Sequence, residues 1–339
     1  MPVTDADDAT LPPAPDRDAP GPNHDAPRSR PLIAWGQLVR LPNVFTVLAD
    51  VAAAFLIVSQ GPQPIGRFVA ILIAGVLLYW AGMILNDVFD VDVDRRQRSA
   101  RPLAAGRISV GLAKSVGYAM LVGGVVVAAI AGHLPSPDVP ATWLPAVVAV
   151  LLAVAVVVYD GPLKQTPLGP LVMGVCRVLS FLLGASVHFD LTVGFPNWLT
   201  AFGLGMGVYV MGVTLIGRRE AIGDRAPHLL TGTIVTALGG VIVATAPRLD
   251  LAAKAWHFSP GPPFGLLVAM IVMPIVVRGF RASREGTPES IQSAVRSGVL
   301  TIIPLAAAIA FLGAGAFWGL LVFAGVVPSL ALSRRFRVT

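Results

Sequence analysis

Nine long apolar stretches constrain the fold of this chain more than any other feature of its sequence. Each is about 16 to 29 residues long with almost no charge, and about 20 apolar helical residues cross the hydrocarbon core of a bilayer. Only 13% of the 339 residues are charged, well below the share in a soluble domain. The sequence therefore predicts an all-α polytopic membrane protein with nine transmembrane helices. The predicted spans are about 43–59, 67–85, 109–131, 143–158, 167–188, 197–216, 229–247, 263–280 and 299–327.

The two ends of the chain differ from this membrane region. Residues 1–30 hold seven prolines and six aspartates and no long apolar run, so they cannot bury enough surface to offset the entropy cost of ordering. We expect a disordered tail there and no cleaved export signal. Residues 31–330 are expected to form one transmembrane domain, and residues 331–339 a basic C-terminal tail.

Basic residues are distributed unevenly between the two sides of the predicted membrane region. Of the 25 Lys and Arg, 18 lie on the side of the N-terminus and six on the other, and Arg177 lies inside the fifth span. The positive-inside rule then puts the N-terminus in the cytoplasm, as expected for a bacterial inner membrane protein. Three C-terminal arginines fall on the wrong side, which a re-entrant last span or a count off by one would explain. The net charge of +6 therefore reflects topology and does not indicate nucleic-acid binding.

An acidic cluster directly follows the second span. Asn86, Asp90 and Asp94 stand at i, i+4 and i+8, and Asp87 is three residues before Asp90, so in a helix all four share one face. Clustered oxygen ligands suit Mg²⁺, which also binds phosphate groups. A solvated acidic loop is the alternative. Five arginines that follow at once favour a phosphate site; they are Arg95, Arg96, Arg98, Arg101 and Arg107.

A second acidic pair follows the sixth span on the same predicted side. Glu220 and Asp224 are again four residues apart and lie close to Arg218. Two acidic patches on one side of the membrane could hold metal ions that bridge one diphosphate. A loop of surface ion pairs is the alternative interpretation.

Four further residues stand out near or within the spans. Tyr159 and Lys164 lie between the fourth and fifth spans, where interfacial anchoring would also explain them. Arg177 needs an anion or a lined cavity inside an apolar span, which favours a functional role. Asn43 opens the first span as either a helix cap or a substrate contact.

The acidic cluster and its continuation resemble the UbiA superfamily of intramembrane prenyltransferases. The matching residues are Asn86-Asp87-x-x-Asp90-x-x-x-Asp94 and Arg101-Pro102-Leu103-x-x-Gly106-Arg107-Ile108-Ser109. The resemblance implies a nine-helix UbiA-type bundle with a cytoplasm-facing site. Two departures mark a divergent member: Glu220 stands where the family usually has Asp, and Gln165 where it usually has Arg.

The same resemblance implies roles for the candidate residues. Asn86, Asp90 and Asp94 would hold one Mg²⁺, and Glu220 and Asp224 a second. Tyr159 and Lys164 would face the prenyl diphosphate, and we add Arg177 to them as a catalytic candidate. The predicted substrate-binding residues are Asn43, Asp87, Arg101 and Arg218.

The implied reaction is Mg²⁺-dependent transfer of a prenyl group to a small aromatic or lipid acceptor within the membrane lipid, with an aromatic acceptor favoured. Two non-enzymatic alternatives stay open, a transporter on this fold and a silent partner in a biosynthetic pathway. Helices broken within the membrane would favour a transporter. Gly203, Gly205 and Gly207 in the sixth span permit either such breaks or close packing.

Overall fold

The computed structural model describes residues 31–136, 139–218, 227–250 and 256–336, and all regular secondary structure in these segments is helical. No strand occurs in these segments, so the all-α prediction is confirmed. The α-helices are α1 Pro31–Leu38, α2 Val44–Ser59, α3 Ile65–Phe89, α4 Val91–Gln97, α5 Val110–His133, α6 Leu144–Val158, α7 Gly169–Ala185, α8 Asn197–Gly217, α9 Pro227–Thr245, α10 Pro262–Glu285, α11 Pro288–Ala314, α12 Ala316–Ala324 and α13 Val326–Arg335.

The described residues contain ten helical segments that are long and apolar enough to cross a membrane, one more than we predicted. The difference arises in the predicted ninth span, 299–327, which the structure divides at Gly315. That residue has φ 90°, a conformation that favours glycine, and the last candidate span then covers Ala316–Arg334. An uninterrupted apolar sequence hides this break, because the spans on both sides of it are equally hydrophobic.

A tenth span returns the C-terminus to the end of the bundle that carries the N-terminal helix. A Cβ atom on Gly36 would lie only 2.5 Å from the ring of Phe336, so α1 and the end of α13 are in direct contact. Arg334 is exposed at this same end, where the other basic residues concentrate. Helix α13 extends into the segment that we expected to be a tail. The extra span thus accounts for Arg334 and Arg335, which did not fit nine spans, and Arg337 lies outside the described residues.

Glycines let several of the helices approach backbone to backbone. A Cβ on Gly239 of α9 would lie 2.3 Å from the backbone nitrogen of Tyr209 in α8, and one on Gly184 of α7 would lie 2.1 Å from the carbonyl oxygen of Val51 in α2. Such contacts are typical of helices that associate in lipid. In α8, a Cβ on Gly207 would lie 2.7 Å from the Gly174 carbonyl, and the helix runs unbroken. The glycines of the sixth span therefore serve packing.

Candidate active site

A cavity of about 1090 Å³ opens between α2, α3, α6 and α7, with side chains from α8 and α11 at its wall. Most of its charged lining residues lie where α3 passes into α4 and in the segment after α6, and the rest of the lining is mostly apolar. The charged residues of its lining are Arg40, Asp87, Asp90, Arg98, Arg101, Asp160, Lys164 and Arg177. The apolar residues include Val47, Leu78, Leu152, Val156, Val210 and Ile302. A ligand with an ionic head and a hydrocarbon tail would match this division.

The acidic cluster lies where α3 passes into α4. Backbone hydrogen bonds join Asp90 to Asn86 (3.1 Å) and Asp94 to Asp90 (2.9 Å), which continues the helical spacing through the junction. Asn86, Asp87 and Asp94 are buried, and Asp90 is half-buried. The helical register therefore brings Asn86, Asp87 and Asp90 into the cavity lining, whereas Asp94 lies one turn further along, outside that lining.

Three basic residues from other segments, Arg40, Arg101 and Lys164, form ion pairs with this cluster. Lys164 Nζ donates a hydrogen bond to Asn86 Oδ1 at 2.6 Å and forms an ion pair with Asp90. Arg101 Nη1 lies 2.7 Å from Asp94 Oδ2 and 3.4 Å from Asp87 Oδ1. These cations also line the cavity, so they are available to an anionic ligand.

The donor atoms of Asn86 and Asp90 fit a small cation. Both residues offer oxygen, which Mg²⁺ prefers, and both already converge on one positive charge, the Lys164 ammonium. Within the described parts of the chain, no three acidic, His or Cys side chains are arranged to hold a metal ion. Asp87 and Asp94 pair with Arg101. A metal between Asn86 and Asp90 would take the place of the Lys164 ammonium.

Tyr159, Asp160 and Lys164 reach the cavity from the segment that follows α6. Residues Tyr159–Leu163 form a π-helical turn with Pro162 inside it, and such turns are frequent at functional sites. Tyr159 and Lys164 were predicted here. Asp160, which is buried and also lines the cavity, was not among our candidates. Its position could have identified it, because Asp160 is a single acidic residue directly after the apolar fourth span.

Arg177 has both an anionic partner and access to a cavity, the two features by which a charged residue inside an apolar span can be accommodated. It lines the cavity, and it forms an ion pair with Asp50 of α2, a fully buried residue. Its Nη2 also donates to the Thr46 carbonyl at 2.9 Å. Sequence reasoning missed Asp50, although it is the single charged residue within the predicted first span.

Two of the predicted substrate-binding residues, Asn43 and Arg218, lie in different places relative to the cavity. Asn43 lines the cavity, and its side chain makes no capping hydrogen bond to α2, which removes the helix-cap interpretation. Arg218 is exposed at the end of α8 and donates to the Thr166 carbonyl. It is not part of the cavity lining, so its role in substrate binding stays a prediction. Glu220 and Asp224 lie outside the described residues.

Comparisons with known proteins agree with this arrangement. The model of the UbiA prenyltransferase family matches residues 47–292. Digeranylgeranylglyceryl phosphate synthase of Metallosphaera sedula is 28% identical over 77% of this chain and 88% of its own length. The protein of that name from Saccharolobus solfataricus is also 28% identical, but over 50% of this chain and only 55% of its own length.

Solved structures show the same fold. A digeranylgeranylglyceryl phosphate synthase structure has a TM-score of 0.58 and 18% identity, and the match covers 84% of this chain and 99% of that one. A UbiA homologue from Archaeoglobus fulgidus bound to GPP and Mg²⁺ has a TM-score of 0.52 and 14% identity, over 86% and 99% of the two chains. The match to the family model covers well over half of the sequence. This chain is therefore a member of the UbiA prenyltransferase family.

Proposed function

We propose that this protein transfers a prenyl group from a prenyl diphosphate to the hydroxyl group of a glyceryl phosphate lipid, in a reaction that depends on Mg²⁺. The division of the cavity into a charged end and an apolar interior carries this proposal. A prenyl diphosphate has the same division, since its diphosphate is strongly anionic and its isoprenoid tail is hydrocarbon. The cavity lining therefore offers complementary groups to both parts of the donor substrate.

The charged end supplies the groups that a leaving diphosphate needs. Asn86 and Asp90 would hold Mg²⁺, with Asp94 one turn further along; the bound ion would neutralise diphosphate charge. Lys164 would then be free to bind a diphosphate oxygen, and Arg40 and Arg101 are positioned at the same end. Glu220 and Asp224 are proposed as the second metal-binding pair from their sequence spacing alone.

The interior of the cavity suits an allylic cation. Fixed cationic donors stabilise the diphosphate as the bond between it and the prenyl carbon breaks. Tyr159 lines the cavity beside these groups, and its ring face could stabilise the positive charge that develops on the prenyl group. Apolar walls exclude water, which would otherwise capture the cation and yield the free alcohol.

The choice of acceptor rests on the relatives. Their name, digeranylgeranylglyceryl phosphate synthase, describes a glyceryl phosphate that carries two geranylgeranyl groups. A lipid alcohol that enters from the bilayer is therefore preferred here to the small aromatic acceptor that the sequence first suggested. The charge distribution supports a site that faces the cytoplasm. Archaeal proteins predominate among the relatives, so a bacterial membrane stays a prediction.

A transfer assay tests this function. Purified protein in lipid nanodiscs would receive radiolabelled geranylgeranyl diphosphate with geranylgeranylglyceryl phosphate or with 4-hydroxybenzoate, each in Mg²⁺ and in EDTA. We expect a labelled ether lipid in Mg²⁺ only. Prenylation of the aromatic acid alone would overturn the acceptor assignment, and no product with either acceptor would overturn the proposed function.

A further inference from the structure

Asp160 is a buried carboxylate in the cavity that the predicted machinery does not use. It is 5% exposed and lines the cavity next to Tyr159. Its Oδ2 atom has no hydrogen-bond partner within the described residues. A buried carboxylate oxygen without a partner is costly, which indicates that a ligand supplies the missing donor.

The charges around Asp160 narrow the choice of ligand. Lys164 on its own segment, Asp87 and Asp90 at the end of α3, and Arg40 in the segment between α1 and α2 all act electrostatically on Asp160. Asp160 also acts on the thiol of Cys176 on α7, which lines the same cavity. The two cations already have carboxylate partners, because Lys164 pairs with Asp90 and Arg40 with Asp87 at 3.7 Å. Asp160 is therefore not a committed counter-ion.

A direct contact between Asp160 and the diphosphate is unfavourable because both are anions. The ligand that satisfies a free carboxylate oxygen at this position is a neutral hydrogen-bond donor. The hydroxyl group of an alcohol acceptor is such a donor, and it must come close to the diphosphate end of the cavity because the prenyl carbon that it attacks is bonded there.

We propose that Asp160 binds the acceptor hydroxyl and takes its proton. This inference rests on the proposed prenyl transfer and names the acceptor side of the same site. The bond between the prenyl carbon and the diphosphate oxygen breaks, and its electron pair leaves with the diphosphate. A lone pair of the acceptor oxygen forms the new ether bond, and the hydroxyl proton passes to Asp160 Oδ2. Asp160 thus selects acceptors that carry a hydroxyl group.

The test compares Asp160→Asn and Asp160→Glu with Asp92→Asn as the matched control. Asp92 lies at the same end of the bundle but is 80% exposed and pairs only with Arg95. Three quantities are measured for each protein. They are Mg²⁺-dependent binding of a non-hydrolysable geranylgeranyl diphosphate analogue, transfer to geranylgeranylglyceryl phosphate, and release of free geranylgeraniol without acceptor.

We expect Asp160→Asn to bind the analogue and to release the alcohol as wild type does, while transfer falls at least about 100-fold, the usual contribution of a positioned base. Normal analogue binding also shows that the variant is folded. Asp160→Glu should recover part of the transfer, because it restores the carboxylate, and Asp92→Asn should match wild type.

Three results would overturn the inference. Wild-type transfer by Asp160→Asn would show that the carboxylate does not serve the acceptor. Loss of analogue binding by the same variant would assign Asp160 to the diphosphate or metal site, and equal loss of alcohol release and transfer would show a general effect on ionisation. If wild-type protein bound no analogue, the proposed function would fail, and this inference would fail with it.

Discussion

The two ends of the bundle hold basic side chains in different ways. At the end opposite the cavity mouth, Arg67 is 1% exposed and donates to four backbone carbonyls, those of Leu134 (2.9 Å), Val139 (3.0 Å), Pro140 (3.1 Å) and Val187 (3.0 Å). At the site end, Arg101 and Lys164 pair with carboxylates and line the cavity.

This difference separates structural from functional charge. The carbonyls around Arg67 belong to loops that follow other helices, and they occupy its donors in the folded protein. The cations of the site end pair with side chains that can exchange partners when a ligand arrives. A buried charge therefore indicates a binding site only when it also reaches a cavity.

Asp90→Ala should have the largest effect, on turnover and not on folding. The substitution removes the carboxylate that would bind Mg²⁺, and the loss of one preorganised electrostatic contact costs about 100- to 1,000-fold in rate. The measurement is prenyl transfer, with Asp92→Ala as a control on the exposed face. Retention of more than about a tenth of the wild-type rate would contradict the assignment of Asp90.

Arg177→Gln should mainly reduce stability, because it leaves Asp50 as an uncompensated buried charge. We expect the free energy of unfolding to fall by about 3 kcal/mol and to recover in the double variant with Asp50→Asn. Thermal unfolding in detergent micelles measures this effect. Because Arg177 also lines the cavity, the double variant should still transfer prenyl groups at least about tenfold more slowly. Full recovery of transfer would make the pair purely structural.

Arg67→Lys should reduce stability without changing the chemistry. A lysine keeps the charge but cannot reach all four carbonyls, so we expect a loss of about 2 kcal/mol from unsatisfied acceptors. Turnover per folded molecule, measured on protein selected by size-exclusion chromatography, should equal that of wild type. A loss of turnover per folded molecule would contradict the purely structural role of Arg67.

Arg218→Ala should have the smallest effect. The side chain is exposed and donates to the Thr166 carbonyl outside the cavity. We expect the transfer rate to change by no more than about fivefold, since an exposed contact of this kind contributes about 1 kcal/mol or less. A loss of tenfold or more in the transfer assay would place Arg218 in the substrate-binding set.

The sequence was informative where a single helix carries the pattern. The spacing of Asn86, Asp90 and Asp94 identified one face of one helix without knowledge of its neighbours. The family and the all-helical membrane fold were also predicted correctly. Apolar length alone could not locate the break at Gly315, which depends on one backbone conformation.

The relationships that sequence reasoning missed all depend on which helices are neighbours. Asp50 and Arg177 are 127 positions apart in the sequence and meet only because α2 packs against α7. Asp160 becomes a functional candidate only because it is buried in a cavity that several helices form. Arg218 follows a span at the correct end, but its side chain turns to the Thr166 carbonyl. These facts depend on tertiary packing, which residue spacing does not encode.

Binding of a non-hydrolysable geranylgeranyl diphosphate analogue tests the central claim most directly. Isothermal titration of the wild-type protein should show binding in Mg²⁺ that is lost in EDTA, and Lys164→Met should weaken it at least about tenfold by removing a charged partner of the diphosphate. Arg67→Lys, at the opposite end, should bind as wild type does. Absence of Mg²⁺-dependent binding by folded wild-type protein, across several prenyl chain lengths, would contradict the account.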